Sequence, residues 1–106
     1  MSPATTTDLP VGRPFDCVFG PFVPRLTFED GRMLRLDIPV GGTTITQTVA
    51  FEATRIAPGI VMLSWAEQDG TFVVHVQDYE ARTVASHARL ADGTLVRSVG
   101  TIAWVT

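Results

Sequence analysis

The 106-residue chain contains no lysine, and this limits the chemistry open to it. Its eight basic residues are all arginines, dispersed along the chain with no run that could follow a phosphate backbone. We therefore expect no nucleic-acid partner. Without lysine, the chain cannot form a Schiff base with a carbonyl substrate or with pyridoxal phosphate.

Cysteine, histidine and long apolar runs are also scarce. Cys17 is the only cysteine and the histidines are His75 and His87, so we expect no intramolecular disulfide, no metal site and no cofactor. No apolar run approaches the roughly 18 residues that span a bilayer, and the N-terminus lacks a signal-peptide pattern. We expect a cytoplasmic protein that makes no membrane contact.

No segment has a helical period, whereas alternation of apolar and polar residues is frequent. It predicts strands at residues 25–29, 33–39, 43–52, 60–65, 71–76, 83–90 and 94–105, joined by short glycine turns. Such an all-β, up-and-down antiparallel meander of seven to eight strands must close into a barrel or split into a two-sheet sandwich. We favour the barrel, because the glycine-turn hairpins and the long last strand suit closure.

The N-terminal quarter of the chain is less regular. Residues 1–10 are polar and bounded by proline, which predicts a flexible tail before a single barrel domain at 11–106. Residues 11–24 combine three phenylalanines with prolines and glycine, so they cannot form a regular helix. We expect this segment to lie across a mouth or edge of the barrel as a plug.

The most informative stretch is 58–79, in which Asp69-Gly70 separates two apolar runs. This dipeptide predicts a two-residue type I′ turn, which would place Glu67 opposite Phe72 and Trp65 opposite Val74. Because side chains alternate along a strand, these four would share one face with Leu63. The same register puts Ser64 opposite His75 on the other face.

Glu67 is the best candidate for chemistry. On an apolar wall beside Trp65 the charged form is disfavoured, so the pKa of the carboxyl should rise and Glu67 could act as a general acid or base. The alternative is a solvated glutamate at the barrel rim. A Ser64–His75 nucleophile and base pair is a weaker hypothesis, because no third group is evident to orient the histidine. Asp78 reads as a strand-end aspartate.

A family resemblance supports the same hairpin. Gly59, Ser64-Trp65, Glu67, Gly70-Thr71 and Val73 resemble the core motif of phenolic acid decarboxylases and of molybdenum-cofactor-biosynthesis-F-like (MoaF-like) proteins, both small calycin barrels related to lipocalins. Residues 26–31 resemble the first hairpin of the decarboxylases. The resemblance covers residues 25–79.

What the resemblance implies is a calycin-like barrel with Glu67 inside it as the acid. The decarboxylases hold their substrate with two tyrosines and an arginine. The matching tyrosine positions are Leu26 and Phe28, and the arginine position falls within 43–47, where there is no arginine. The resemblance therefore implies a pocket more apolar than that of the decarboxylases.

From these observations we predict a barrel that binds a small apolar, aromatic or polyketide-like molecule. The leading hypothesis is a cofactor-free lyase, isomerase or cyclase with Glu67 as general acid/base. The alternatives are a non-catalytic carrier or sensor, or a barrel with a filled core. The predicted substrate-binding residues are Leu26, Phe28, Leu36, Leu63, Trp65, Phe72, Val74 and Trp104.

The face opposite Glu67 should carry Ile60, Met62, Val73 and Tyr79, which is too apolar for a wet surface. Contiguous apolar patches usually mark interfaces. We therefore expect a homodimer through this sheet, or else a cover formed by the N-terminal segment.

Overall fold

The computed structural model describes residues 2–106, and all the regular secondary structure in that range is β-strand. The strands are β1 (Ser2–Pro3), β2 (Phe15–Val18), β3 (Arg25–Phe28), β4 (Met33–Val40), β5 (Thr43–Ala57), β6 (Ile60–Ala66), β7 (Phe72–Asp78), β8 (Thr83–Arg89) and β9 (Leu95–Trp104).

Strands β2 to β9 form a closed, eight-stranded, up-and-down antiparallel barrel. Each strand pairs with the next along the chain, and β9 pairs with β2 from Phe15↔Trp104 to Val18↔Thr101. The predicted barrel is confirmed, and the sandwich alternative is wrong. Closure gives each of these eight strands a neighbour on both sides. It therefore removes most of the exposed edges that an open meander would present.

The strand that closes the barrel lies in the segment predicted to be a plug. Phe15 and Cys17 of β2 are fully buried inside the barrel, so this part of the prediction is wrong. The rest of the segment does reach a barrel mouth, where Phe19 and Phe22 form an isolated bridge. The error arose because β2 is only four residues long and lies between Pro14 and Gly20.

The described part of the N-terminal segment contacts the barrel. β1 pairs with β5 through Ser2↔Arg55 and Pro3↔Thr54, and Leu9 is buried in the core. Asp8 and Arg55 form an ion pair at 3.3 Å. The expectation of a flexible tail did not include these contacts.

The β6–β7 hairpin differs from its prediction by one residue. Glu67 and Thr71 close a three-residue loop, with the Glu67 N–H donating to the Thr71 carbonyl at 2.8 Å, and Gly70 has a φ of +91°. Trp65 therefore pairs with Val73 and Leu63 with His75. Because side chains alternate, a slip of one residue turns every β7 side chain to the other face.

The corrected register reverses two sets of predictions. Phe72 (42 % exposed) and Val74 lie on the outer wall, whereas Val73, His75 and Gln77 are buried inside. Of the predicted dimer patch, Ile60 and Met62 remain outside, but Val73 faces inward and Tyr79 donates a hydrogen bond to buried Gln77. The patch as predicted does not exist, and the homodimer stays a prediction.

The two ends of the barrel are built differently. The closed end is filled by an aromatic cluster with ring centroids 5.0–6.2 Å apart. Its members are Phe15, Phe28, Phe51, Tyr79 and Trp104. At the open end, β2 leads into β3 and the β6–β7 and β8–β9 hairpins turn around a cavity.

Within residues 2–106, no helix is long and apolar enough to cross a membrane. The cytoplasmic location stays a prediction.

Candidate functional site

The open end encloses a cavity of about 280 Å³. Its wall is mostly apolar, and none of its lining residues is an arginine. The polar side chains on the wall are Glu67, Asp69, Thr71, His75, Ser86 and Ser98. Binding pockets typically combine an apolar lining with a few placed polar groups in this way. An engineered apolar cavity of about 150 Å³ admits benzene, so this one is large enough for a molecule of one ring with substituents.

Glu67 lies at the rim of the cavity, where β6 ends and the loop to β7 begins. Its Oε2 accepts a hydrogen bond of 3.0 Å from the indole Nε1 of Trp65, which fixes the direction of the carboxyl. Burial raises the pKa of Glu67 because it removes water from the charged form, and nearby Asp69 raises it further. The Trp65 hydrogen bond acts in the opposite direction but is the weaker effect.

The loop after Glu67 is held by one contact with the barrel and one contact of its own. The Gln68 N–H donates to Oε1 of Gln47, a buried side chain of β5, at 2.9 Å. Asp69 Oδ1 accepts from the Thr71 N–H at 2.9 Å, an Asx-type turn contact. These contacts fix the backbone that follows Glu67, while the Trp65 indole directs its carboxyl.

His75 lies deeper in the cavity, on the inner face of β7. It is 3 % exposed, and its ring packs edge-on against Trp65 at 4.7 Å and against Phe19 at 5.9 Å between centroids. Its Nδ1 is 3.0 Å from Nε2 of Gln77, whose Oε1 accepts from the Tyr79 hydroxyl at 2.8 Å. Burial lowers the pKa of His75 to about 4, so the imidazole is neutral at physiological pH.

Phe19 and Phe22 cover part of the mouth, with stacked rings 6.4 Å apart. Gly100 of β9 allows the chain to cross here. A Cβ at Gly100 would clash with the carbonyl oxygen of Val18 and would lie 2.9 Å from the Phe19 ring. Only a residue without a side chain permits this close approach.

The predicted site residues separate into three groups. Glu67, Trp65, Leu26 and Leu36 line the cavity. Phe28, Leu63 and Trp104 are inside the barrel but do not line it, and Phe72 and Val74 are outside. The roles of the lining residues in binding or catalysis stay predictions.

Sequence reasoning missed His75 and the serines of β8 and β9 as lining residues. It expected the segment with Phe19 and Phe22 to lie across a mouth or edge of the barrel, but did not name them as lining residues. The sequence of the β6–β7 loop could have predicted that His75 faces inward, because it fits a three-residue loop as well as a two-residue one. Three-residue hairpin loops commonly have a residue in the left-handed region at the third position, and Gly70 occupies that position in Gln68-Asp69-Gly70.

The remaining reactive side chains are not arranged for catalysis. Ser64 is on the outer face, so the Ser64–His75 pair is not formed. Burial raises the pKa of the Cys17 thiol to about 12, which leaves it without nucleophilic thiolate. His87 is exposed on the outer wall, and within residues 2–106 no three His, Cys, Asp or Glu side chains are grouped as metal ligands.

Comparison with known proteins places the chain in a family. A crystal structure described as "a putative beta-lactamase from Burkholderia vietnamiensis" is similar, with a TM-score of 0.83 and 25 % identity over 90 % of this chain and 94 % of that chain. No protein with curated annotation shows significant similarity. The MoaF-like family model matches residues 11–103, which include β2 to β8 and almost all of β9. The chain therefore belongs to the MoaF-like family.

Proposed function

We propose that the open end of the barrel binds a small, largely apolar molecule and that Glu67 transfers a proton to or from it. The observation that carries the proposal is a carboxyl group on an apolar cavity wall, held in one direction by the Trp65 indole, with its pKa raised by burial. A carboxyl with a raised pKa is a stronger base when ionised and remains available as an acid nearer to neutral pH.

The chemistry this supports requires no other reactant. A proton leaves one carbon of the ligand for Glu67, the electron pair shifts within the ligand, and the proton returns at another position. Isomerisation and cyclisation fit this scheme. So does cleavage of a carbon–carbon bond in a β-hydroxy compound, in which Glu67 takes the hydroxyl proton, the hydroxyl-bearing carbon leaves as a carbonyl, and the proton returns to the carbanion. Positioned acids and bases contribute about 10²- to 10⁴-fold to rate.

The lining favours a neutral ligand over an anionic one. Glu67 and Asp69 both face the cavity, and none of its lining residues is an arginine. An anionic ligand would lose its hydration without gaining a cationic partner, which is costly. The chain also lacks the lysine of the Ser-x-x-Lys motif that serine β-lactamases use, so we do not extend the description of the Burkholderia protein to this chain.

A second candidate is a carrier or sensor that binds the same ligand without chemistry. It is favoured by the largely apolar lining, because an apolar cavity can hold a ligand whether or not Glu67 reacts with it. The two candidates differ in what Glu67 is needed for. A carrier tolerates an amide at this position and an enzyme does not.

Binding is tested with ethylbenzene, a one-ring probe that fits the cavity volume. Ala88 lines the cavity, whereas Ala85 of the same strand lies on the outer face. Ala88→Leu should abolish the chemical-shift changes that ethylbenzene causes at the Trp65 indole, and Ala85→Leu should leave them intact. Loss of binding in both variants, or in neither, contradicts the proposed cavity.

Proton transfer is tested with acetophenone, whose methyl protons exchange with deuterium when a base removes them. In deuterated buffer the wild type should accelerate this exchange, and Glu67→Gln should slow it by about 10²-fold while retaining binding. Asp69→Asn is the matched control, because it removes a carboxyl two residues away and should keep most of the rate. Equal rates for wild type and Glu67→Gln would reject the enzyme and leave the carrier.

A further inference from the structure

A buried polar chain connects the closed end of the barrel to the cavity along β7 and the residue that follows it. Tyr79, Gln77 and His75 follow one another at every second position, so their side chains point to the same inner face. The hydrogen bonds are 2.8 Å from Tyr79 to Gln77 and 3.0 Å between Gln77 and His75. Gln77 is fully buried, at 0 % exposure, so its amide has no access to bulk water.

The donors and acceptors of this chain determine the form of the imidazole. The Tyr79 hydroxyl donates to Oε1 of Gln77, which can only accept. The Gln77 Nε2 group can only donate, so Nδ1 of His75 accepts and carries no proton. A neutral imidazole with an unprotonated Nδ1 has its proton on Nε2. Burial lowers the pKa of His75 and so keeps the ring neutral.

The protonated nitrogen is the one that faces the cavity. His75 lines the cavity, and its Nδ1 side is occupied by Gln77. Nε2 has no hydrogen-bond partner among residues 2–106. Every fully enclosed side-chain nitrogen or oxygen in that range has a partner, so Nε2 is not fully enclosed. Nε2 is therefore open to the cavity. It is a directed N–H donor in an apolar surrounding, where hydrogen bonds are electrostatically stronger than in water.

We propose that His75 is a ligand-binding residue whose Nε2–H donates a hydrogen bond to a neutral carbonyl oxygen, and that Gln77 and Tyr79 are positioning residues that hold its tautomer. The inference rests on the proposed function, since it assumes a ligand in the cavity. It adds the chemical class of that ligand: a small, uncharged ketone, aldehyde or ester attached to an apolar body. The carbonyl would also make the neighbouring C–H bond acidic enough for Glu67 to act on.

A donor of this kind would assist the reaction as well as binding. When Glu67 removes a proton from the carbon beside the carbonyl, the electron pair moves to the oxygen and an enolate forms. The His75 Nε2–H would stabilise that charge, as donors aimed at a developing oxyanion do. Return of the proton from Glu67 to another carbon completes an isomerisation with atoms and charge balanced.

The test compares acetophenone with ethylbenzene, which have similar shapes but differ in the carbonyl oxygen. The wild type is compared with two variants. The triple variant H75F/Q77L/Y79F makes the whole chain apolar. The double variant Q77L/Y79F keeps the imidazole but removes the groups that hold it. The triple variant should stay folded, because replacing all the hydrogen-bonded partners together with apolar groups of similar shape costs little stability.

The expected result is a wild-type preference for acetophenone over ethylbenzene that falls by at least about fivefold in the triple variant, because the carbonyl loses its donor. Ethylbenzene affinity is measured in every variant, so that the preference is the ratio of the two affinities and a general change in the cavity cancels. The double variant should keep part of the preference. Nitrogen-15 NMR of His75 should show one Nε2–H tautomer in the wild type and a tautomer mixture in the double variant.

Two outcomes would overturn the inference and leave the proposed function standing. The first is an unchanged acetophenone preference in the triple variant while both probes still bind. The second is an NMR spectrum in which the wild-type His75 carries its proton on Nδ1. Failure of both probes to bind the wild type would instead reject the proposed function, and the inference with it.

Discussion

The closed and open ends of the barrel are made from the same eight strands, but one is filled by side chains and the other contains a cavity. At the closed end, Phe15 contacts the rings of Phe28, Tyr79 and Trp104 and fills the interior. At the open end, the corresponding space is a cavity with a carboxyl and an imidazole on its wall. We therefore expect stability to be concentrated where the barrel is filled, and we propose that the opposite end is available for a ligand.

The difference in stability between the two ends is tested most directly by removing one aromatic side chain at each end. Phe28→Ala removes a fully buried ring at the closed end and should lower the free energy of unfolding by about 3–5 kcal/mol. Phe22→Ala removes a ring that is 46 % exposed at the open end and should cost much less. Chemical denaturation of both variants measures the difference. Equal losses would mean that stability is not concentrated at the closed end.

A smaller effect is expected where β9 crosses beneath the mouth. Gly100→Ala places a methyl group against the Val18 carbonyl and the Phe19 ring, so the backbone must shift, at a cost of about 1–3 kcal/mol. Gly42→Ala is the control, because that position has no positive φ and no atom within 4 Å of an added Cβ. Thermal unfolding should separate the two variants. A neutral Gly100→Ala would show that the crossing is not tight.

The smallest effect is a dependence of stability on pH that arises at the open end. Because the pKa of Glu67 is raised in the folded state, its contribution to stability falls as pH rises from the unfolded-state pKa through the folded one. The pKa of Asp69 is lowered by the hydrogen bond from the Thr71 N–H, so its contribution is lost as pH falls through the folded value. Glu67→Gln should therefore gain stability relative to wild type as pH rises, and Asp69→Asn should lose it.

Unfolding free energies measured across the acidic range check these opposite slopes. Two carboxyls in the same loop, two residues apart, provide an internal control for each other. Slopes of the same sign in the two variants would contradict the different environments assigned to Glu67 and Asp69.

Much of the fold could be predicted, because alternating residues and glycine turns are local signals. Residues 33–39 and 60–65, for example, lie within β4 and β6. β2 could not, because it has only four residues and its pairing with β9 is a contact between distant parts of the chain. Glu67 and Trp65 were found because they precede the loop and do not depend on its length.

The residues after the loop were assigned to the wrong face for one reason. A two-residue and a three-residue turn differ by a single position, and Asp69-Gly70 is compatible with both. The shorter turn placed Phe72 and Val74 on the inner face, where the structure has Val73 and His75. The polar chain from Tyr79 to His75 was therefore not predicted, although its three residues occupy alternate positions in the sequence.

The central claim is that the open end holds a carboxyl group whose proton is available for chemistry. Carbon-13 NMR of the Glu67 side-chain carboxyl, followed as a function of pH and assigned by its loss in Glu67→Gln, measures this directly. The account predicts a pKa above that of an unperturbed glutamate, because burial disfavours the charged form. A midpoint at or below about 4.3, the value of a free glutamate side chain, would contradict it.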